Sequence, residues 1–197
     1  MITDFHFEDL FTVPILKCQA NLAHEEIANY ARTQLAQHNS YTSFHDPKFN
    51  EFMVENVPWR RSLEQTLASA GQTFLKQRRV EADYYLAYWF SVYNTGDDHV
   101  LHTHPGALAA GTYYPHGDDQ STKIRYRNPA FLTISHTEPC ATDLLVDHFP
   151  KTGELNVWPA WLEHEVRPQP DVDPANTRVA ISFNYGRGHG FSGQAVG

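Results

Sequence analysis

Cysteine is scarce in this chain: Cys18 and Cys140 are the only two among 197 residues. Two cysteines so far apart make neither a disulfide framework nor a Cys/His zinc pattern, and a reducing compartment fits them best. Long apolar runs are also missing; none approaches the roughly 18 residues needed to span a bilayer. The first ten residues carry Asp4, Glu8 and Asp9 without a basic-then-apolar signal. No leader is therefore expected, and the chain reads as cytoplasmic. Positive charge is in short supply, 15 Lys and Arg against 23 Asp and Glu, a formal −8. That balance argues against nucleic acid as a partner; only the short cluster Lys123, Arg125 and Arg127 departs from it. With no repeat, low-complexity tract or clear linker, residues 1–197 are expected to form one domain with a real core.

What the chain does have is aromatics, at 13%, and histidines, twelve of them. Residues 9–16 are a first strand candidate. Residues 21–37 read as a helix, with Ile27, Ala31 and Leu35 spaced i, i+4, i+8. A polar loop over 38–57 leads to a second helix near Pro58, a good first-turn residue. Its stripe is Leu63, Leu67, Ala70 and Phe74, and Lys76, Arg78 and Arg79 close it as the helix dipole favours. The period then changes. Residues 83–94 are dense in Tyr, Trp, Phe and Val, and further strand candidates are 111–114, 123–126, 131–135, 155–158, 163–167 and 179–185. A helical part over about 20–80, then many short strands over about 80–190, predicts a mainly β jelly roll buttressed by N-terminal helices.

The chemistry concentrates on four side chains. His102 and His104 stand at i and i+2, which on a strand places both rings on one face, and Pro105-Gly106 turns the chain immediately after them. A third imidazole, His164, sits sixty residues further on, behind the aromatic approach Trp158-Pro159-Ala160-Trp161-Leu162. Three ligands on one face of a metal leave open positions for substrate, the arrangement of non-haem iron sites. Arg178 opens the last strand candidate and would share a face with Ala180, Ser182 and Asn184. An inward-facing Arg needs an anion, and a carboxylate fits its planar fork.

These residues carry a family resemblance. The order His102-x-His104, His164, Arg178 resembles the Fe(II)/2-oxoglutarate-dependent oxygenase superfamily, in particular its branch of small bacterial and phage oxygenases. The likeness extends over Leu10-Phe11-Thr12-Val13-Pro14-Ile15, His102-Thr103-His104-Pro105-Gly106, Gly111-Thr112-Tyr113-Tyr114 and Asn128-Pro129. It continues over Trp158-Pro159-Ala160-Trp161-Leu162-Glu163-His164 and Ser182-Phe183-Asn184. The stretch from His164 to Pro168, with Arg178-Val179-Ala180-Ile181-Ser182, also resembles prolyl hydroxylases. The resemblance implies a double-stranded β-helix, a jelly roll of cupin-like shape, with His102 and His164 as Fe(II) ligands. It implies that Arg178 pairs with the distal carboxylate of 2-oxoglutarate, with Tyr114, and less strongly Ser182, hydrogen-bonding nearby. The implied reaction uses Fe(II), 2-oxoglutarate and O2 to hydroxylate an unactivated C–H of a small molecule or an amino-acid or peptide substrate, releasing succinate and CO2. Neither a nucleic acid nor a membrane partner is expected, and a homo-oligomer is compatible with this reading.

The chain departs from the superfamily at one position: His104 stands where the wider pattern has Asp or Glu. Three hypotheses follow, namely His104 as third ligand, water in its place, or an acid from elsewhere such as Asp98. The i, i+2 spacing favours His104. Two alternatives lie outside the family. One is a cupin-type metal protein that uses no 2-oxoglutarate, since Gly96 and Gly153 stand before their histidines as in the two cupin motifs. The other is a non-catalytic jelly roll with incidental histidines. Trp89, Tyr93, Tyr113 and Trp161 are candidate pocket walls. The loops 38–57, 115–122 and 136–152 are candidate specificity elements, and Asp118, Asp119, Asp143 and Asp147 are candidate contacts for a cationic substrate.

Overall fold

The computed structural model describes residues 12–38, 40–44, 57–118, 121–138, 144–168, 173 and 177–188. The start of the first strand candidate, Cys140, Asp119, Asp143 and residues 45–56 of the polar loop lie outside them. Nine strands are described, β1 (Leu16–Gln19), β2 (Tyr84–Tyr93), β3 (His99–His102), β4 (Ala107–His116), β5 (Ile124–Arg127), β6 (Leu145–His148), β7 (Glu154–Pro159), β8 (His164–Val166) and β9 (Arg178–Arg187). Three helices are described with them, α1 (His24–Gln37), α2 (Arg60–Gln77) and α3 (Phe131–Thr137). The strands make two antiparallel sheets, a five-stranded one in the order β1-β7-β4-β9-β2 and a four-stranded one in the order β3-β8-β5-β6.

Both faces of β2, β4, β7 and β9 are largely buried, so those strands are apolar over much of their length, whereas the edge strand β1 is exposed over Lys17, Cys18 and Gln19. Alternation still sorts the two faces. Leu86, Tyr88, Phe90, Val92, Tyr113, Leu155, Val157, Val179, Ile181, Phe183 and Tyr185 point to one core, which α1 and α2 cover with Ile27, Ala31, Leu35, Leu63, Leu67 and Phe74. Those helical residues are the stripes expected from the sequence. Gly71 lets α2 close on the sheet: a Cβ there would run into the Tyr185 ring, and Tyr185 Oη donates to Leu67 O at 2.5 Å. The opposite face carries Tyr93, Ala110, Tyr114, Trp158 and Ala180, which pack toward Ile124, Tyr126 and Val166 of the smaller sheet. The functional side chains lie between the sheets.

Residues 131–135, read as a strand from Phe131, Leu132, Thr133 and Ile134, form helix α3 instead. The preceding turn decides it. Asn128 Oδ1 accepts the Ala130 N–H at 2.9 Å, and the Phe131 N–H donates to Asn128 O at 2.8 Å. This Asx-type turn starts the chain along a helical path, and β-propensity is weak against such context.

The outer face of the smaller sheet resolves the basic cluster. Arg125 holds Asp147 through two nitrogens at 2.5 and 2.9 Å, Lys123 reaches the same carboxylate at 2.6 Å, and Arg127 pairs with Glu163. These are cross-strand ion pairs set by register, since Arg125 stands opposite both Asp147 and Glu165. Asp147 is therefore committed within the fold and is no free contact for a cationic substrate. The Arg125 hydrogen bond, aided by Lys123 against a desolvation cost, holds the Asp147 carboxyl at about 2. A depressed folded-state value contributes stability that is complete above the ordinary carboxylate range and is lost as pH falls through it toward 2. The expected outcome is that Asp147→Asn melts below the parent at pH 6 and that the gap narrows as melting is followed from pH 4 to 2.

Candidate metal centre

His102 ends β3 and His164 begins β8, and the two are direct cross-strand partners. Their rings pack against each other, tilted by 55°, at a centroid distance of 4.3 Å. The 61 residues between them (103–163) run through β4 to β7 and α3, which return the chain to the same place. His104 arrives differently from the i, i+2 expectation. It lies past the end of β3, and its backbone N–H donates to Ala160 O at 2.9 Å, tying it to the β7–β8 turn. Gly106, at φ +84°, completes the bend behind it. The ring nevertheless joins the other two, at 5.0 Å from His102 and 5.1 Å from His164.

The three residues each offer a ring nitrogen within 4.8 Å of the others. Second partners orient two of the rings. His102 Nδ1 lies 2.7 Å from Val100 O and His164 Nδ1 lies 2.8 Å from Leu162 O. A carbonyl only accepts, so each Nδ1 carries the hydrogen and each Nε2 presents a lone pair. His104 Nε2 and His164 Nε2 are 3.2 Å apart. Trp158 stands edge-on to His164 at 4.9 Å, and Trp89 flanks His104 at 6.4 Å. Burial, followed by the neighbouring imidazoles, pushes His104 down to about 4 and His164 well below the usual range; burial also lowers His102, against its bond to Val100. At neutral pH the cluster is thus uncharged, the state in which imidazole binds a metal.

Arg178 lines the same cavity, with Tyr93, Tyr114, Thr112, Ala180 and Ser182. It is 2% exposed. Its Nη1 donates to Thr122 O at 3.1 Å and its guanidinium lies over the Tyr93 ring at 4.1 Å, but its Nε has no partner. Among the described residues no carboxylate pairs with it. It also lies 5.8 Å from the Tyr114 ring, and a buried guanidinium held by one carbonyl and two rings is incompletely compensated. Tyr114 Oη is also buried without a partner. Burial, opposed by Arg178, pushes its phenol up to about 12, so it stays a hydrogen-bond donor; Thr112 is near but not in bonding geometry. Ser182 Oγ lies 3.4 Å from Thr112 Oγ1.

The structure thus brings together His102, His104, His164, Arg178, Tyr114 and Ser182. Trp89 and Tyr93 are pocket walls as expected. Tyr113 and Trp161 are not. Tyr113 points to the helix side, 2.5 Å from His24 Nδ1, because it neighbours Tyr114 on a strand. Trp161 is half exposed beside a separate groove. Asp98 is exposed, and no carboxylate of the described residues joins the three-histidine cluster. The sequence reading missed His99, whose ring stands 4.4 Å from His102 and lines the cavity. An i, i+3 pair falls on opposite faces of a regular strand; the register shift between His99 and His102 brings both to one side.

A family model described as "Putative 2OG-Fe(II) oxygenase" matches residues 87–184, the span from β2 to β9. Solved structures share the fold at low identity. A prolyl-4-hydroxylase of Pseudomonas putida is 13% identical, with 90% of this chain and 94% of that one covered at a TM-score of 0.62. AviO1 of Streptomyces viridochromogenes Tue57 is 10% identical, with 91% and 92% covered at a TM-score of 0.57. HygX of Streptomyces hygroscopicus, crystallised with nickel and 2-oxoglutarate, is 11% identical, with 89% and 83% covered at a TM-score of 0.52. A search of curated protein sequences gives no match. The two sheets are those of a double-stranded β-helix.

Proposed function

Because this chain belongs to the 2OG-Fe(II) oxygenases, oxidoreductases that use ferrous iron and 2-oxoglutarate, we propose that His102, His104 and His164 hold the iron. Arg178 and Tyr114, with Ser182 beside them, hold the cosubstrate. The observation that carries the reading is a juxtaposition. Three neutral imidazoles converge in the same cavity as a buried guanidinium that lacks an anion. The donor set suits a divalent transition metal. The open Nε of Arg178 and the unpartnered Tyr114 hydroxyl suit a carboxylate. A cupin-type protein without 2-oxoglutarate leaves Arg178 with no anion, so that alternative accounts for less.

When bound, iron and 2-oxoglutarate supply the oxidative decarboxylation by O2 that yields succinate and CO2 and hydroxylates a C–H bond. The protein binds and orients. His102 and His164 are locked by the carbonyls of Val100 and Leu162, so their donor atoms are set before the metal arrives. Arg178 and Tyr114 fix the far end of the keto acid, and Trp89, Trp158, Ile124 and Val166 keep the cavity dry. The substrate class that fits the family is a small molecule or an amino-acid or peptide side chain. The experiment is a turnover assay with Fe(II), O2 and 2-oxoglutarate against panels of such compounds. The expected result is 2-oxoglutarate-dependent succinate release that one panel stimulates and couples to an added oxygen atom by mass. Succinate release that ignores 2-oxoglutarate or iron would contradict the proposal.

A further inference from the structure

We infer that the groove beside Trp161 is a second binding site, separate from the iron cavity, and that its ligand is a small aromatic carboxylate. The groove has a volume of about 730 Å³, within the roughly 300–1,000 Å³ of small-molecule sites. The residues leading into β1 line it with Val13 and Ile15, the turn after β5 with Pro129, β6 with Val146, and the β7–β8 turn with Trp161 and Leu162. A partition keeps it apart from the histidines. Trp158 and Ile124 line the iron cavity, Tyr126 and Leu162 line the groove, and the four pack with Ala110 into one apolar cluster. The site is thus independent of the metal assignment.

The walls leave large apolar side chains in water: Trp161 is 50% exposed and Val146 56%. Covering them is favourable, and contiguous apolar surface of this kind marks ligand grooves. The Trp161 indole, the Tyr126 ring and Pro129 all line the groove. Such flat faces suit a rigid aromatic body, which gives up little conformational freedom on binding. The polar chemistry of the groove is cationic. Arg78, just past the end of α2, lines it, and its guanidinium has no hydrogen-bond or ion-pair partner among the described residues. Arg127 also lines it, but its charge is held by Glu163 and its guanidinium lies over the Phe131 ring. No Asp or Glu is among the described lining residues. One free guanidinium above apolar walls matches one carboxylate, whose two oxygens fit its planar fork. A phosphate monoester, with nearly two charges, would keep an unbalanced charge there.

The test is isothermal titration calorimetry of the full chain with 2-naphthoate and with 2-naphthamide, its neutral counterpart. The expected result is one equivalent of naphthoate bound with a Kd on the order of 0.1 mM, reasonable for a ligand of about thirteen non-hydrogen atoms. Trp161→Ala is expected to weaken it about tenfold, from the loss of the aromatic contact. Arg78→Glu is expected to weaken it about fivefold, and 2-naphthamide to bind about fivefold more weakly than the acid, because an exposed guanidinium contributes no more than that. Trp161 and Arg78 are both exposed, so both variants keep the fold, which a thermal melt checks. Arg178→Met separates the two anion sites and is expected to bind naphthoate like the parent. Binding only at millimolar concentration or beyond one equivalent overturns the inference. So do equal affinities for acid and amide, or an affinity that neither Trp161→Ala nor Arg78→Glu changes. Loss of naphthoate binding in Arg178→Met would seat the acid in the iron cavity and overturn it as well.

Discussion

His164→Ala is expected to abolish stoichiometric metal binding while the protein stays folded. His164 is the most buried of the three proposed ligands at 5% exposure, is register-paired with His102, and has its free ring nitrogen set by the Nδ1 bond to Leu162 O. Removing it leaves two imidazoles, one of which, His104, is fixed by a turn and not by a strand. Loss of an orienting partner alone typically costs 10- to 100-fold in metal affinity, so loss of the ligand is expected to exceed about a hundredfold. Metal content after dialysis reads the effect, and circular dichroism with a thermal melt checks the fold. His99→Ala is the companion control. His99 touches His102 but its nitrogens do not complete the three-histidine set, so that variant retains its metal.

The second large effect has opposite signs for binding and stability. Arg178→Met is expected to weaken 2-oxoglutarate binding by about 10- to 100-fold, from the loss of a charge-assisted pair worth roughly 1.5–3 kcal/mol. The same variant is expected to melt at or above the parent temperature in the absence of ligand. The parent keeps an incompletely compensated charge in its interior, and replacing such a group by an apolar one of similar length is often neutral or stabilising. The Met side chain can still pack beside Tyr93. A stability cost carried for binding is the mark of a functional side chain. Unchanged 2-oxoglutarate affinity would remove Arg178 from the site, and a large drop in melting temperature would make its role structural.

The physics of single elements explains what was legible in the chain. The helix stripes were, because burying Ile27, Ala31 and Leu35, or Leu63, Leu67 and Phe74, needs one period over several turns. So was the face of β9: Arg178, Ala180 and Ser182 line the cavity, as alternation requires. The three-histidine cluster was found partly for the wrong reason. Strand alternation joined His102 to His104, whereas a backbone bond to Ala160, far away in sequence, places His104. His99 was hidden by the same rule, because a bulge in pairing leaves no periodic trace. Residues 131–135 looked like a strand because propensity says nothing of the Asx turn at Asn128. The basic cluster and Asp147 each looked available for partners, and cross-strand register pairs them with each other.

Iron and 2-oxoglutarate are proposed to meet in one cavity between His164 and Arg178. The most direct measurement is the visible difference spectrum on adding 2-oxoglutarate to the anaerobic ferrous protein. A charge-transfer band that saturates at one equivalent, persists in His99→Ala and is lost in His164→Ala is the predicted result. A ferrous protein whose spectrum 2-oxoglutarate leaves unchanged, or a band that survives His164→Ala, would contradict it.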